Sequence, residues 1–144
     1  VSGEAAPRLL ATLGQYLTTY RANYGIVAEL AVADGLGEDD FTPDATVQLL
    51  RVIAEALTNA RKHAHASRIY VGVARADGGA RITIVDDGRG FDIGAVGTPE
   101  HYGLAFMRER MAQVGGRLAI DSRPGAGTRV VLDVSPSTRQ EITT

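Results

Sequence analysis

Between Leu9 and Tyr20 apolar side chains recur at three- and four-residue steps: Leu9, Leu10, Leu13, Leu17 and Tyr20. That spacing puts them on one side of a helix, so Pro7 to Tyr24 is predicted to be an amphipathic helix ended by Gly25. Ile26 to Ala33 alternates well enough for a strand. Asp34 to Asp40 reads as an acidic, glycine-containing loop. Thr42-Pro43-Asp44 is a strong helix start: a hydroxyl cap, a proline suited to the first helical position, and a carboxylate at the positive helix end. This second helix is expected to run to about Ala64. Its apolar stripe is Leu50, Ile53, Ala54, Leu57 and Ala60, with Glu55, Asn59 and Lys62 on the opposite stripe and His63 at the edge.

Further on the period changes. Ser67 to Ala74 places Ile69, Val71 and Val73 on one face of a strand, and Asp77-Gly78-Gly79 turns into a returning strand from Arg81 to Asp86. Phe91 to Tyr102 has no periodicity and contains Gly94, Gly97 and Pro99, so it is expected to be a loop. A loop of that length in a compact domain is usually functional. Gly103 to Val114 is predicted helical with Leu104, Met107 and Met111 inward, stopped by Gly115-Gly116. Arg117 to Ser122 and Thr128 to Val134 read as strands joined by the turn Arg123 to Gly127. Helices and strands do not strictly alternate. The expected fold is therefore α+β: a two-layer sandwich with three helices on one face of a mixed, mostly antiparallel sheet of about five strands. One domain is expected over residues 1–135, with a polar, frayed tail over 136–144.

Composition narrows the chemistry. The 144 residues are 44% hydrophobic and 22% charged with a net charge of −2, ordinary for a soluble globular domain and against a uniformly basic nucleic-acid surface. There is no cysteine, which removes disulfides, thiolate zinc sites and cysteine nucleophiles. No apolar run approaches a membrane span, and a cytoplasmic setting is expected, with a parent protein that can itself be anchored. The chain begins with Val1, so a longer parent is expected.

Two stretches carry candidate chemistry. Asp86 ends an apolar strand before Asp87-Gly88-Arg89-Gly90. A carboxylate there can accept a hydrogen bond from an exocyclic amine such as adenine N6, and Gly88 and Gly90 leave room for a flat ring. Taken alone, an Asp-Asp-Gly turn on the surface is the commoner explanation. On the second helix, Asn59 offers a neutral oxygen suited to Mg²⁺ already held by phosphates. Lys62 and His63 can meet phosphate oxygens, and Glu55, one turn earlier, can orient water or act as a base. Any one of these residues is more often part of a solvated helix face. The coincidence of both stretches in order is what points to a pocket. His63 and His65 do not share a helix face and lack a completing ligand set, and His101 is a lone loop histidine.

Glu55 to Ala64 (EALTNARKHA) resembles the N box, and Asp86 to Phe91 (DDGRGF) the G1 box, of the catalytic ATP-binding domain of bacterial sensor histidine kinases in the GHKL ATPase superfamily. Tyr102 to Met111 (YGLAFMRERM) and Ser122 to Thr128 (SRPGAGT) resemble its later glycine segments. The Met-Arg-Glu-Arg run and short lid are similar to the nitrate- and desaturase-sensor subfamily. The likeness spans about Pro7 to Pro136.

It implies roles position by position. Asp86 would bind the adenine amino group directly and through water, Thr128 would hold the bridging water, and Gly88 and Gly90 would shape the pocket. Asn59 would coordinate Mg²⁺, and Lys62 and His63 would approach the phosphates of ATP. Gly103 and Leu104 would close the lid end, their amides starting a helix that suits an anion. Arg108 or Arg110 would reach the phosphates. Glu55 would orient water or metal.

The sequence departs from the pattern at Asp87, where the family usually has Asn, and at His101-Tyr102 ahead of Gly103. The resemblance implies transfer of the γ-phosphoryl group to a histidine on a separate dimerisation domain, then to a response-regulator aspartate, within a homodimeric kinase. No direct contact with nucleic acid or membrane is implied. The alternatives are a serine kinase of the anti-sigma type, a nucleotide sensor that transfers nothing, and a gyrase- or MutL-like ATPase.

Overall fold

Thr42 caps the second helix as its position demands: its Oγ1 accepts the Ala45 amide at 3.1 Å, and Pro43 opens the first turn. In this computed structural model residues 8–135 are described; Pro7 and the tail from 136 onward lie outside them. The elements are α1 (Leu9–Tyr24), β1 (Val27–Val32), a 3-10 turn (Glu38–Asp40), α2 (Pro43–Lys62), β2 (Arg68–Ala76), β3 (Gly79–Asp86), α3 (Pro99–Gln113), β4 (Arg117–Ser122) and β5 (Thr128–Val134).

The five strands form one sheet in the order β1-β2-β3-β5-β4. β1 runs parallel to β2, as a strand pair joined through a crossover helix can, and the other three pairings are antiparallel. Alternation decides the layers. Ile69, Val71 and Val73 of β2, Ala80, Ile82 and Ile84 of β3, and Val130, Leu132 and Val134 of β5 are buried against the helices. The opposite face carries Tyr70, Arg81, Arg129 and Asp133, with Arg81 and Asp133 paired across strands at 2.7 Å. The result is the expected α+β sandwich, one face of the sheet covered and one bare.

Two features differ from the sequence reading. The buried side of α2 is Ala45, Thr46, Leu49, Val52, Ile53, Ala56, Leu57 and Ala60, so the true stripe is turned toward Leu49, Val52 and Ala56, while Leu50 and Ala54 are only half-buried. Residues 49–57 are apolar nearly all round, and periodicity alone leaves the phase open there. The acidic loop also has a job. Glu38 reaches back to the start of α1 and accepts the Leu10 and Ala11 amides, each at 2.9 Å, capping from 28 and 27 residues away a helix whose own N-cap residue, Arg8, makes no side-chain capping bond.

Candidate functional site

Three strand ends make a floor. Asp86 of β3 pairs with Thr128 of β5, and Thr128 pairs with Ser122 of β4, so the three residues stand in one row across adjacent strands. The next row inward is Ile84, Val130 and Ile120. Even spacing puts both rows on the helix-covered face. A cavity opens above them, lined by Asp86, Thr128, Ile84, Val130 and Ile120 from the sheet, Ala56 and Asn59 from α2, Ala64 just past its end, Phe91 from the loop, and Glu100 and Met107 from α3. An apolar slot with a few polar groups at one edge suits a flat heteroaromatic ring.

Asp86 accepts the Gly88 amide at 2.8 Å. Burial pushes its carboxyl above the ordinary value of 3.8, and neighbouring Asp87 adds to this; the Gly88 and Thr128 amides pull it partly back. Asp87 is turned the other way. Its Oδ1 accepts the Ser67 and Arg68 amides at 2.8 and 2.9 Å, and its Oδ2 accepts the Ser67 hydroxyl at 2.6 Å. It pins the start of β2 to the end of β3, and its charge reaches the cavity only as a secondary influence on Asp86. These bonds, Ser67's first, hold its carboxyl below 3.8. A carboxyl with a lowered folded value stabilises fully above 3.8 and loses that contribution as pH falls below it. Asp87→Ala is expected to destabilise the domain by about 1–3 kcal/mol at neutral pH, well short of three full charge-assisted bonds because the group is exposed. Denaturant melts at neutral pH and near pH 3 check it: the deficit shrinks at the lower pH.

Gly88 passes so close to the end of α2 that a Cβ there would lie 2.5 Å from the Ala64 Cβ. Gly90 has φ +64°, and a Cβ would meet the Arg123 carbonyl oxygen at 2.1 Å. Neither lines the cavity; both let the loop seat against α2 and the 123–127 turn. Between them Arg89 clamps the pieces together. Its amide donates to the Ala64 carbonyl at 2.9 Å, its Nε to the His63 carbonyl at 2.9 Å, and its carbonyl accepts the Gly125 amide.

On the helix side, Asn59 lines the cavity and Glu55 lies one turn before it, both half-buried. Lys62 is exposed and His63 half-buried at the C-terminal end of α2; neither lines the cavity. α3 begins at Pro99, four residues earlier than predicted, and Thr98 Oγ1 caps it by accepting the His101 amide at 3.1 Å. Gly103 and Leu104 therefore sit inside the helix rather than at its start, and their amides serve its own turns. Gly103 is where α3 meets α2: a Cβ there would stand 2.7 Å from Glu55 Oε2 and 2.9 Å from Asn59 Nδ2. Leu104 is buried in the core. Arg110 lies with its guanidinium 5.0 Å from the Phe106 ring centre, and Arg108 is exposed; neither lines the cavity.

Sequence reasoning missed Ser122 and the apolar liners Ala56, Ala64, Met107, Ile120 and Val130. The signal for the row was available: Asp86, Thr128 and Ser122 each continue the inward alternation of their strand.

The site is a polar-edged apolar slot between a mixed sheet and two helices. The chain belongs to the histidine kinase-, DNA gyrase B- and HSP90-like ATPase family, whose match covers residues 44–138. It is 33% identical over 133 residues to the signal transduction histidine-protein kinase/phosphatase DegS of Brevibacillus brevis, a match covering 92% of this chain and 33% of that protein. It is 43% identical over 97 residues to the nitrate/nitrite sensor protein NarQ of Escherichia coli strain K12, covering 66% of this chain and 17% of NarQ. The blue-light activated histidine kinase of Erythrobacter litoralis superposes with a TM-score of 0.74 at 23% identity, over 93% of this chain and 43% of that one. The chain thus spans about a third or less of these curated relatives, and it is homologous to the catalytic domains of sensor histidine kinases. Among the described residues no helix is long and apolar enough to cross a membrane.

Proposed function

We propose that this domain binds ATP with its adenine over the Asp86–Thr128 row and its phosphates toward Asn59, and presents the γ-phosphoryl group to a histidine of a separate dimerisation domain. A response-regulator aspartate then receives it. The observation that carries this reading is the placement of Asp86: a half-buried carboxylate at the polar edge of an apolar slot, within one cavity with Asn59.

Each residue has a part. Asp86 accepts from the 6-amino group, and Ile84, Ile120, Val130 and Met107 enclose the ring. Gly88 and Gly90 shape the base end by holding the loop away from it. Mg²⁺ fits as a partner of the phosphates. Among the described residues no three His, Cys, Asp or Glu side chains are placed to hold a metal by themselves, so the nucleotide would supply most of the oxygens, and the Asn59 amide oxygen adds a hard neutral donor. When bound, that ion neutralises charge on the transferring group. Glu55, beside Asn59, orients water. Lys62 and His63 sit at the negative end of α2, where the Lys62 ammonium offsets a dipole that would otherwise repel a triphosphate. For Gly103 and Leu104 to touch nucleotide, the first turn of α3 has to move off Glu55 and Asn59. The domain faces the cytoplasm, where ATP is, and works in a homodimeric parent.

Calorimetric titration with ATP, ADP and GTP, with and without Mg²⁺, tests the reading. ATP and ADP are expected to bind and GTP to bind far more weakly. Asn59→Ala is expected to lose about tenfold in Mg-ATP affinity and far less without the metal. Equal losses under both conditions would remove Asn59 from the metal site.

A further inference from the structure

Ser122 is 6% exposed, at the outer end of the Asp86–Thr128–Ser122 row. Its hydroxyl has three neighbours: the Phe91 amide at 3.0 Å, the Gly127 carbonyl at 3.0 Å and the Thr128 hydroxyl at 2.8 Å. A serine hydroxyl has one hydrogen and two lone pairs. The Phe91 amide can only donate and the Gly127 carbonyl can only accept. If Ser122 gave its hydrogen to Thr128, the Gly127 carbonyl would lose this partner. If Ser122 gives it to Gly127, the Thr128 hydrogen can go to Ser122, and all three bonds form. Burial favours the complete set. The Thr128 hydrogen is then committed away from the cavity, and only its lone pairs remain for a ligand.

We propose that Ser122 is a specificity-positioning residue: by fixing the direction of the Thr128 hydroxyl it makes the polar edge of the pocket an acceptor-only wall that selects 6-aminopurines over 6-oxopurines. This deepens the nucleotide reading above and rests on it. The wall then consists of the Asp86 carboxylate and the Thr128 oxygen, both acceptors. A 6-amino group or a bridging water finds partners there; the 6-oxo group of guanine or hypoxanthine meets lone pairs and stays unsatisfied. With Ser122 unable to accept, Thr128 is free to rotate and donate, and the wall loses its polarity. Ser122 touches no ligand itself. It acts through Thr128, and through the Phe91 and Gly127 backbone that frames the same edge.

The test measures binding of ATP, GTP and ITP to the full chain in Ser122→Ala, Ser122→Thr and Ser122→Val. Thr and Val are nearly isosteric and share any packing cost, so their difference isolates the hydroxyl and remains readable if the alanine variant folds poorly. Expected is a fall of about tenfold in the ATP-to-GTP and ATP-to-ITP affinity ratios for Ala and Val, with the ratio restored in Thr. Losses of equal size for all three nucleotides, or an unchanged ratio in Val, would make Ser122 merely structural and overturn the proposal. A wild-type domain that binds no adenine nucleotide would overturn the underlying reading instead, and this one with it.

Discussion

Asp86→Asn is expected to lower ATP affinity by about a hundredfold or more while leaving the empty fold at least as stable as the wild type. The two effects have one cause. The carboxylate sits in a site that burial makes costly for charge, so its pKa lies above 3.8 when folded. A carboxyl whose folded value is raised gives its full contribution below the unfolded value and loses it as pH rises through the folded one. At neutral pH the ionised group is therefore a liability to the empty domain, and the neutral amide relieves it. Asn keeps a carbonyl oxygen for the Gly88 amide, so the local turn survives. With that oxygen turned to the Gly88 amide, the NH₂ stands where the second carboxylate oxygen stood and meets the adenine amine donor to donor. A mismatched buried pair of this kind discriminates strongly. Calorimetry reads the affinity. Thermal melts read the other half: the variant matches or exceeds wild type near pH 7, and its advantage disappears below about pH 4. Wild-type affinity in Asp86→Asn would remove Asp86 from the base site.

Gly90→Ala is expected to destabilise the domain by more than about 2 kcal/mol and to take nucleotide binding with it. The left-handed backbone alone costs a residue with a side chain about 1–2 kcal/mol. The added Cβ would also press on main chain, 2.1 Å from the Arg123 oxygen and 2.8 Å from the Gly127 oxygen. Main chain cannot swing aside as a side-chain tip can, so the loop or the 123–127 turn has to shift. That turn leads into Thr128, hence the coupled loss of binding. Gly94→Ala is the control: its nearest neighbour would be the Asp92 Oδ1 at 3.5 Å, an ordinary contact, and its melt is expected to move little. Equal melts for the two variants would mean that Gly90 does not seat the loop.

Local signals made much of this legible in the sequence. Alternation placed Ile69, Val71 and Val73 inward, and the Thr42-Pro43-Asp44 start marked α2. The same signature recurs at Thr98-Pro99-Glu100, where the neighbouring Gly94 and Gly97 disguise it as loop. Recognising it would have put Gly103 inside α3. What stayed hidden depends on distant partners. Asp87 looks like a second pocket acid until Ser67, 20 residues back, is seen to hold it. Glu38 looks like loop until α1 arrives with two free amides. The phase of α2 was ambiguous because residues 49–57 offer apolar side chains in most directions, and the sheet and α3 choose among them. Asp86 and Asn59 were legible as a pair because each lies in a short motif of its own. That both line one cavity is a fact of topology, fixed by where β3 ends relative to α2.

Arg89 divides the cleft into unequal sides. Through its amide, its Nε and its carbonyl it ties the residues just past α2 to the 123–127 turn. The segment on the other side has bonds of a different sort: Gly94 to the Asp92 side chain and Ala95 to the Asp92 carbonyl join near neighbours, and α3 meets α2 at a glycine. The wall of the cavity formed by α2 and the strand ends is thus cross-tied by main chain over a long stretch of sequence, while residues 92–97 lean on bonds to their own near neighbours.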